Sequence, residues 1–310
     1  MRAFLTVDDV TGLVAQQFGR DRRVAGLDRL TGGTKKGVYR IRLDDGRSVV
    51  LYVWADAENY WPESVTVPDD PFTDASGAEL FVANRALLAG AGARVPDLLF
   101  SDVDRVLVED VGGETLEARM AYDRAPLLEL GRTLRRLHTT FGPGWGRPAS
   151  VTSPGRPPEE MILGRALAHL DAVALTDGRV AAARTRIEDH LRGLRARVTA
   201  REEYAVIHGE LGPDHVLISA NGEPVMIDIE GVTYFDVEWE HAFLQLRFGP
   251  AYESLDPVDL DPARLELYRF AQVIGLIEGP LRIAGTDFPD RQWMLDLAEL
   301  NIGKALAAVA

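Results

Sequence analysis

The chain of 310 residues contains no cysteine. Disulfides, thiolate metal centres and thiol nucleophiles are therefore excluded. Lysine is nearly as scarce, with three lysines against 31 arginines. No run of about eighteen apolar residues occurs, so no membrane-spanning helix is expected. The opening MRAFLTVDDVTGLV holds no apolar stretch before its first acids, unlike a secretory leader, and a cytosolic, cytoplasmic setting is the expectation. Positive charge is in short supply too. Basic side chains number 34 against 48 acidic ones, for a formal net charge of −14. A nucleic-acid partner is excluded, because phosphate neutralisation needs a basic face.

What is present is the composition of an ordinary globular chain, 46% hydrophobic and 26% charged. The length allows one large domain or two lobes. Thr6 followed by Asp8 and Asp9 marks a helix start, with Val10, Leu13, Val14 and Phe18 on one face. From Val24 the pattern changes to period two. Three antiparallel strands are expected at about 24–30, 37–44 and 47–54, the last two joined by the Asp45-Gly46 turn. The glycine-rich loop GGTKKG joins the first two and holds two of the three lysines, Lys35 and Lys36. A helix at 75–89 containing Glu79 and stopped by Gly90 comes next, then two strands, DLLFSD and RVLVEDV.

After Gly113 the character turns helical. One long helix broken near Pro126 is expected, then a loop rich in Gly, Pro and Ser at 143–157, of the length that is usually functional or mobile. Helices follow at 158–173, 178–200, 262–277 and 289–309. Between them, VIHGELGPDHVLISANGEPVMIDIEG (206–231) reads as a hairpin. Its loop and ends carry His208, Glu210, His215, Asp228 and Glu230. Asp228 and Glu230 lie two apart, as do His208 and Glu210, so on extended chain each pair projects to one side. Hard cations such as Mg²⁺ take oxygen ligands, commonly one or two carboxylates plus phosphate and water. The set reads as a metal and proton-transfer site, the alternative being a plain turn with solvated acids.

HGELGPDH followed by IDIEG resembles the HGDxxxxN … ID pair of the aminoglycoside phosphotransferase and choline kinase-like family, the small-molecule branch of the protein-kinase-like fold. DVEWEHAFL resembles the family's next segment, GDPxxDLA, with Asp236 and Glu240 at the acidic positions. The order of parts matches over roughly residues 24 to 250. The resemblance implies an α+β, two-lobe fold: a small antiparallel-sheet N-lobe over 1–111, with the nucleotide loop and hinge, and a larger helical C-lobe over 112–310. It also implies transfer of the γ-phosphate of ATP or GTP, with Mg²⁺, to a hydroxyl of a small molecule. Glu210 stands at the catalytic base position, and His208 would hold its loop. Gly32, Gly33, Thr34, Lys35 and Lys36 would cover the phosphates, and Glu109 and Val111 would form the hinge. Asp228, His215 and Glu230 would serve the metal.

Three positions depart from the family. Glu210 replaces an aspartate, His215 an asparagine, and Tyr52 in VVLYVW the usual strand lysine or arginine; Lys35 or Lys36 is the candidate substitute. The expected acceptor wall comprises Trp61, the 143–157 loop, and Glu278, Asp287 and Asp290. Acids there suit a cationic, amine-bearing acceptor such as an antibiotic. The alternative function is a catalytically impaired kinase-like binding protein. The spacing argues against a protein kinase, because Asp236 follows Asp228 too soon for an activation segment.

Overall fold

The computed structural model describes residues 2–31, 33–61, 69–73, 75–148 and 156–310. Helix α1 (Val7–Phe18) starts with the expected cap: the Thr6 amide donates to the Asp9 carboxylate at 2.8 Å. Strands β1 (Val24–Arg29), β2 (Gly37–Leu43) and β3 (Ser48–Val53) follow. Gly46 takes a φ of 84° in the β2–β3 turn, and the Asp45 carboxylate accepts the Arg47 amide. Helix α2 (Ala78–Gly90) leads to β4 (Leu98–Ser101) and β5 (Arg105–Glu109), which complete an antiparallel sheet of order β1-β2-β3-β5-β4. Side-chain alternation buries Tyr39, Ile41, Leu51 and Leu107 in the core shared with α1. The other face buries Val50, Tyr52, Val106 and Val108 with Phe81 and Leu88 of α2.

The helix expected after Gly113 resolves into α3 (Leu116–Arg119) and α4 (Ala125–His138). Then come α5 (Pro158–Ala174) and α6 (Gly178–Ala196), strands β6 (Ala205–Ile207), β7 (Val216–Ile218), β8 (Pro224–Met226) and β9 (Thr233–Phe235), and helices α7 (Val237–Phe248), α8 (Pro262–Ala284) and α9 (Arg291–Ala307). The Asp177 and Asp261 carboxylates cap α6 and α8. A sheet with flanking helices and a mainly helical remainder is the α+β, protein-kinase-like architecture expected from the sequence. Among the described residues no helix is long and apolar enough to cross a membrane.

The expected 206–231 hairpin is corrected. β6 pairs with β9, and β7 with β8, so the two runs flanking the motif lie in separate two-stranded sheets. The β7–β8 ladder is extended by one more backbone bond, the Ile227 amide donating to the His215 carbonyl at 2.9 Å. Nor is the chain extended at Asp228, which sits in the left-handed region (φ 58°, ψ 49°) and opens a 3₁₀ turn, Ile229–Gly231. A strained non-glycine residue of this kind accumulates at functional sites.

Candidate active site

Residues from the loop before β2, the β6–β7 loop and the turn after β8 meet around one cavity of about 370 Å³. Its wall includes Gly33, Lys35, Lys36, Glu210, Asp228 and Glu230. Gly32 lies outside the described residues. Thr34, also in the wall, is pinned from behind: its carbonyl accepts the Tyr60 amide at 2.8 Å and its hydroxyl accepts the Trp61 indole at 2.9 Å. Glu109 ends β5 and Val111 lies just beyond it; neither lines this cavity. The Glu109 side chain is bound by Arg94 at 2.5 Å and accepts the Asp97 amide at 3.1 Å.

The buried His208 is a loop anchor. Its Nε2 donates to the Ile227 carbonyl at 3.0 Å, and burial takes its pKa down to about 4, so the ring is neutral. The next residue, Gly209, has a φ of +89°, and a Cβ there would meet the Gly231 carbonyl oxygen at 2.5 Å. Only glycine fits. The chain can then turn so that Glu210 emerges exposed at the cavity, its carboxylate without a hydrogen-bond partner among the described residues. A free carboxylate at the cavity edge is suited to orient a hydroxyl and receive its proton.

Glu240, on α7, supports this loop from below. It is fully buried and accepts the amides of His208 and, at 3.3 Å, Gly209. Burial raises its pKa from 4.5 to about 7, against the lowering effect of those amides. A carboxyl with a raised folded-state pKa contributes stability that is present below its ordinary value and lost as pH climbs through about 7. Glu240→Gln is expected to flatten the pH dependence of stability between about 4.5 and 7. Glu240→Ala leaves buried amides without an acceptor, at about 1–3 kcal/mol each. Urea denaturation at pH 5 and pH 8 checks both; a steeper pH slope in Glu240→Gln would contradict the assignment. Asp236, at the other acidic position, is a core residue: Tyr268 donates to it and Arg264 bonds it at 2.5 Å, and burial lifts its pKa to about 6.

The lysine question has a geometric answer. Lys36 Nζ lies 5.3 Å from the centre of the Tyr52 ring, above the very residue that occupies the strand position where the family places its cation. It stands 2.5 Å from Asp228 Oδ1 and 2.6 Å from Glu230 Oε1. Desolvation opposes its charge, but the two carboxylates outweigh it and raise its pKa. The surrounding protein would raise the Asp228 carboxyl; Lys36 and His215 more than offset this and hold it below the usual range. Burial pushes Glu230 up. Glu79 is exposed in the first turn of α2. The link from α2 to the motif is instead Asn84, fully buried, whose amide donates to the carbonyls of Ile229 at 2.8 Å and Glu230 at 3.1 Å. The only sequence signal for it was a polar residue on the buried stripe of a helix.

His215 Nδ1 is 2.8 Å from the Glu210 carbonyl oxygen, which can only accept, so Nδ1 carries a proton. Nε2 then faces Asp228 Oδ2 at 3.5 Å and Asp214 Oδ2 at 3.7 Å. Two carboxylates facing one ring nitrogen form an arrangement that either a proton or a metal cation would balance. Among the described residues no group of three or more histidines, cysteines and carboxylates is arranged to hold a metal unaided. The donor set fits an ion held by one or two protein ligands plus phosphate and water, as Mg²⁺ is.

Of the expected acceptor wall, Trp61 and Glu278 line the cavity. Asp287 pairs with Arg2 at 2.7 Å, and Asp290 caps α9. Residues 149–155 of the 143–157 loop lie outside the described residues; Trp145 is buried in the helical core, and Gly146 pairs with Tyr234 of β9. The sequence reading missed Arg165, His169 and Arg282, which complete the far wall.

A model of the phosphotransferase enzyme family matches residues 27–268. A search of curated proteins returned no match. Among solved structures, an aminoglycoside phosphotransferase in ternary complex with AMP-PNP and hygromycin B is similar at a TM-score of 0.66 and 17% identity, over 97% of each chain. A phosphotransferase bound to GDP and kanamycin aligns at 0.63 and 21% identity, over 97% of this chain and 99% of that one. A fructosamine-3-kinase-like protein from Thermobifida fusca aligns at 0.55 and 22% identity, over 97% and 100%.

Proposed function

The chain belongs to the phosphotransferase enzyme family, a small-molecule kinase, and from that premise we propose that it transfers the γ-phosphate of ATP or GTP to a hydroxyl of a small molecule with Lys36, Glu210 and Asp228 as its working residues. The observation that carries this reading is the meeting of a loop lysine, a free carboxylate and the Asp228–Glu230 pair in one cavity. Glu210 accepts the proton of the acceptor hydroxyl as its oxygen bonds to the γ-phosphorus. The bond from that phosphorus to the β–γ bridging oxygen breaks, and the nucleoside diphosphate leaves. Lys36, with Lys35 beside it, stabilises the charge that develops on the phosphate oxygens. Positioning and electrostatics supply most of the rate in such reactions.

Mg²⁺ belongs to the same reading. Asp228 and His215 would hold it, with Glu230 and Lys36 balancing charge behind them; when bound it would neutralise phosphate charge. The backbone near Glu109 and Val111 would receive the base, and Gly32 to Thr34 the phosphates. The structural relatives bind AMP-PNP or GDP, which supports nucleotide use, and a cytoplasmic setting supplies it. Two of them carry hygromycin B and kanamycin; an antibiotic acceptor is the second reading they favour.

The test is product formation. The enzyme, ATP or GTP, Mg²⁺ and pooled hydroxyl compounds are followed by ³¹P NMR. A new phosphate-monoester resonance matching the nucleoside diphosphate formed is expected; inorganic phosphate as the sole product would contradict acceptor phosphorylation.

A further inference from the structure

The far wall of the cavity is built by two facing helices. Arg165, Ala168, His169 and Ala172 project from α5 at helical spacing, opposite Glu278 and Arg282 of α8. Their carboxylate partners sit behind or beside the guanidinium groups. Arg165 bonds Asp70 at 3.1 Å; Asp70 is fully buried and does not line the cavity, whereas the Arg165 side chain keeps 22% exposure. Arg282 Nε is 3.2 Å from Glu278. A guanidinium has five N–H donors, and among the described residues Arg165 makes one hydrogen bond and Arg282 this one ion pair. Among the described residues, most of their donors therefore have no protein acceptor. Above them Trp61 is flanked by cations, with Arg282 at 4.8 Å and Lys35 at 5.2 Å from its ring.

Among the described residues, the acid on this wall is Glu278. Glu278 is committed to Arg282, and burial raises its pKa. His169 is half-buried, and desolvation drives its pKa down to about 3, with Arg165 adding to the effect, so it presents a neutral imidazole. Glu210, Asp228 and Glu230 belong to the reaction centre.

We propose that the acceptor carries an anionic group besides its hydroxyl, a carboxylate or a phosphate ester, held by the Arg165–Arg282 clamp across α5 and α8. Planar forks of this kind bind carboxylate and phosphate oxygens two at a time. The inference rests on the phosphotransferase reading and reverses the cationic acceptor expected from sequence.

The experiment uses the full chain loaded with AMP-PNP and Mg²⁺, so that the triphosphate positions are filled. Calorimetric titrations with gluconate, glucose 6-phosphate and kanamycin are compared, with AMP-PNP affinity measured in the same preparations. One of the anionic probes is expected to bind at least tenfold more tightly than kanamycin, and which one does so identifies the anion. Arg282→Gln is expected to weaken that probe tenfold or more while AMP-PNP affinity holds. Arg165→Lys, which keeps a cation beside Asp70 but removes the fork, is the second variant. Tighter binding of kanamycin, no binding of either anionic probe to the AMP-PNP complex, or indifference to both variants would overturn the proposal and leave the phosphotransferase reading standing. Absence of AMP-PNP binding would overturn both.

Discussion

Lys36→Met is expected to lower kcat by about 10²–10³-fold, the loss typical when one preorganised donor is removed from developing charge. Methionine keeps the length of the stem and removes the cation. The fold should survive, because Glu230, already pushed up by burial, can take a proton in place of the lost charge. The variant that sets this account apart is the rescue. Lys36 Nζ lies over the Tyr52 ring, so Tyr52→Lys in the Lys36→Met background restores a cation to nearly the same point from β3. Recovery of tenfold or more in steady-state turnover is expected. Full activity in Lys36→Met alone would remove the lysine from the reaction. Failure of the rescue with nucleotide affinity intact would mean that the loop backbone, and not the charge, is what Lys36 supplies.

Glu210→Gln is expected to lower kcat by about 10²–10⁴-fold while leaving nucleotide affinity within a factor of two, the range for loss of a positioned base. Glutamine keeps the shape and cannot accept the proton. Glu210→Asp withdraws the carboxylate by about an ångström, and misplacement of that size can cost about 10²-fold. The expected order is therefore wild type, then Asp, then Gln, read from kcat at saturating nucleotide. Equal activity of Gln and wild type would make Glu210 a structural residue of the loop. If Asp were fastest, the longer side chain would be a handicap and not an adaptation to the backbone set by Gly209.

Local rules made much of the fold legible. Thr6 and Asp9 mark the first helix, and the Asp45–Gly46 turn fixes the register that pairs Val38 with Tyr52. That register carries Lys36 toward Tyr52, so a turn dipeptide helps to place the cation. The 206–231 segment was misread because strands of three residues hold little register information of their own. Asp228 was assigned to extended chain because nothing local announces a left-handed aspartate. Helix α7 escaped notice as a helix because Glu238 and Glu240 face the interior along with Trp239 and Leu244, which erases the period a surface helix shows. Asn84 and the Arg165–Arg282 wall depend on contacts between elements far apart in sequence. Such contacts have no one-chain signature beyond polar residues where apolar ones belong.

The most direct test of the account is thermal denaturation with ATP and GTP, each with and without Mg²⁺, on wild type and Asp228→Ala. A ligand that binds only the folded chain adds RT ln(1 + [L]/Kd), about 2.7 kcal/mol at a hundredfold excess over Kd, which moves Tm by several degrees. The account predicts a shift that requires Mg²⁺ in the wild type and vanishes in Asp228→Ala, whose unliganded Tm stays close to that of the wild type. An unchanged Mg²⁺-dependent shift in Asp228→Ala, or no shift with either nucleotide in the wild type, would contradict it.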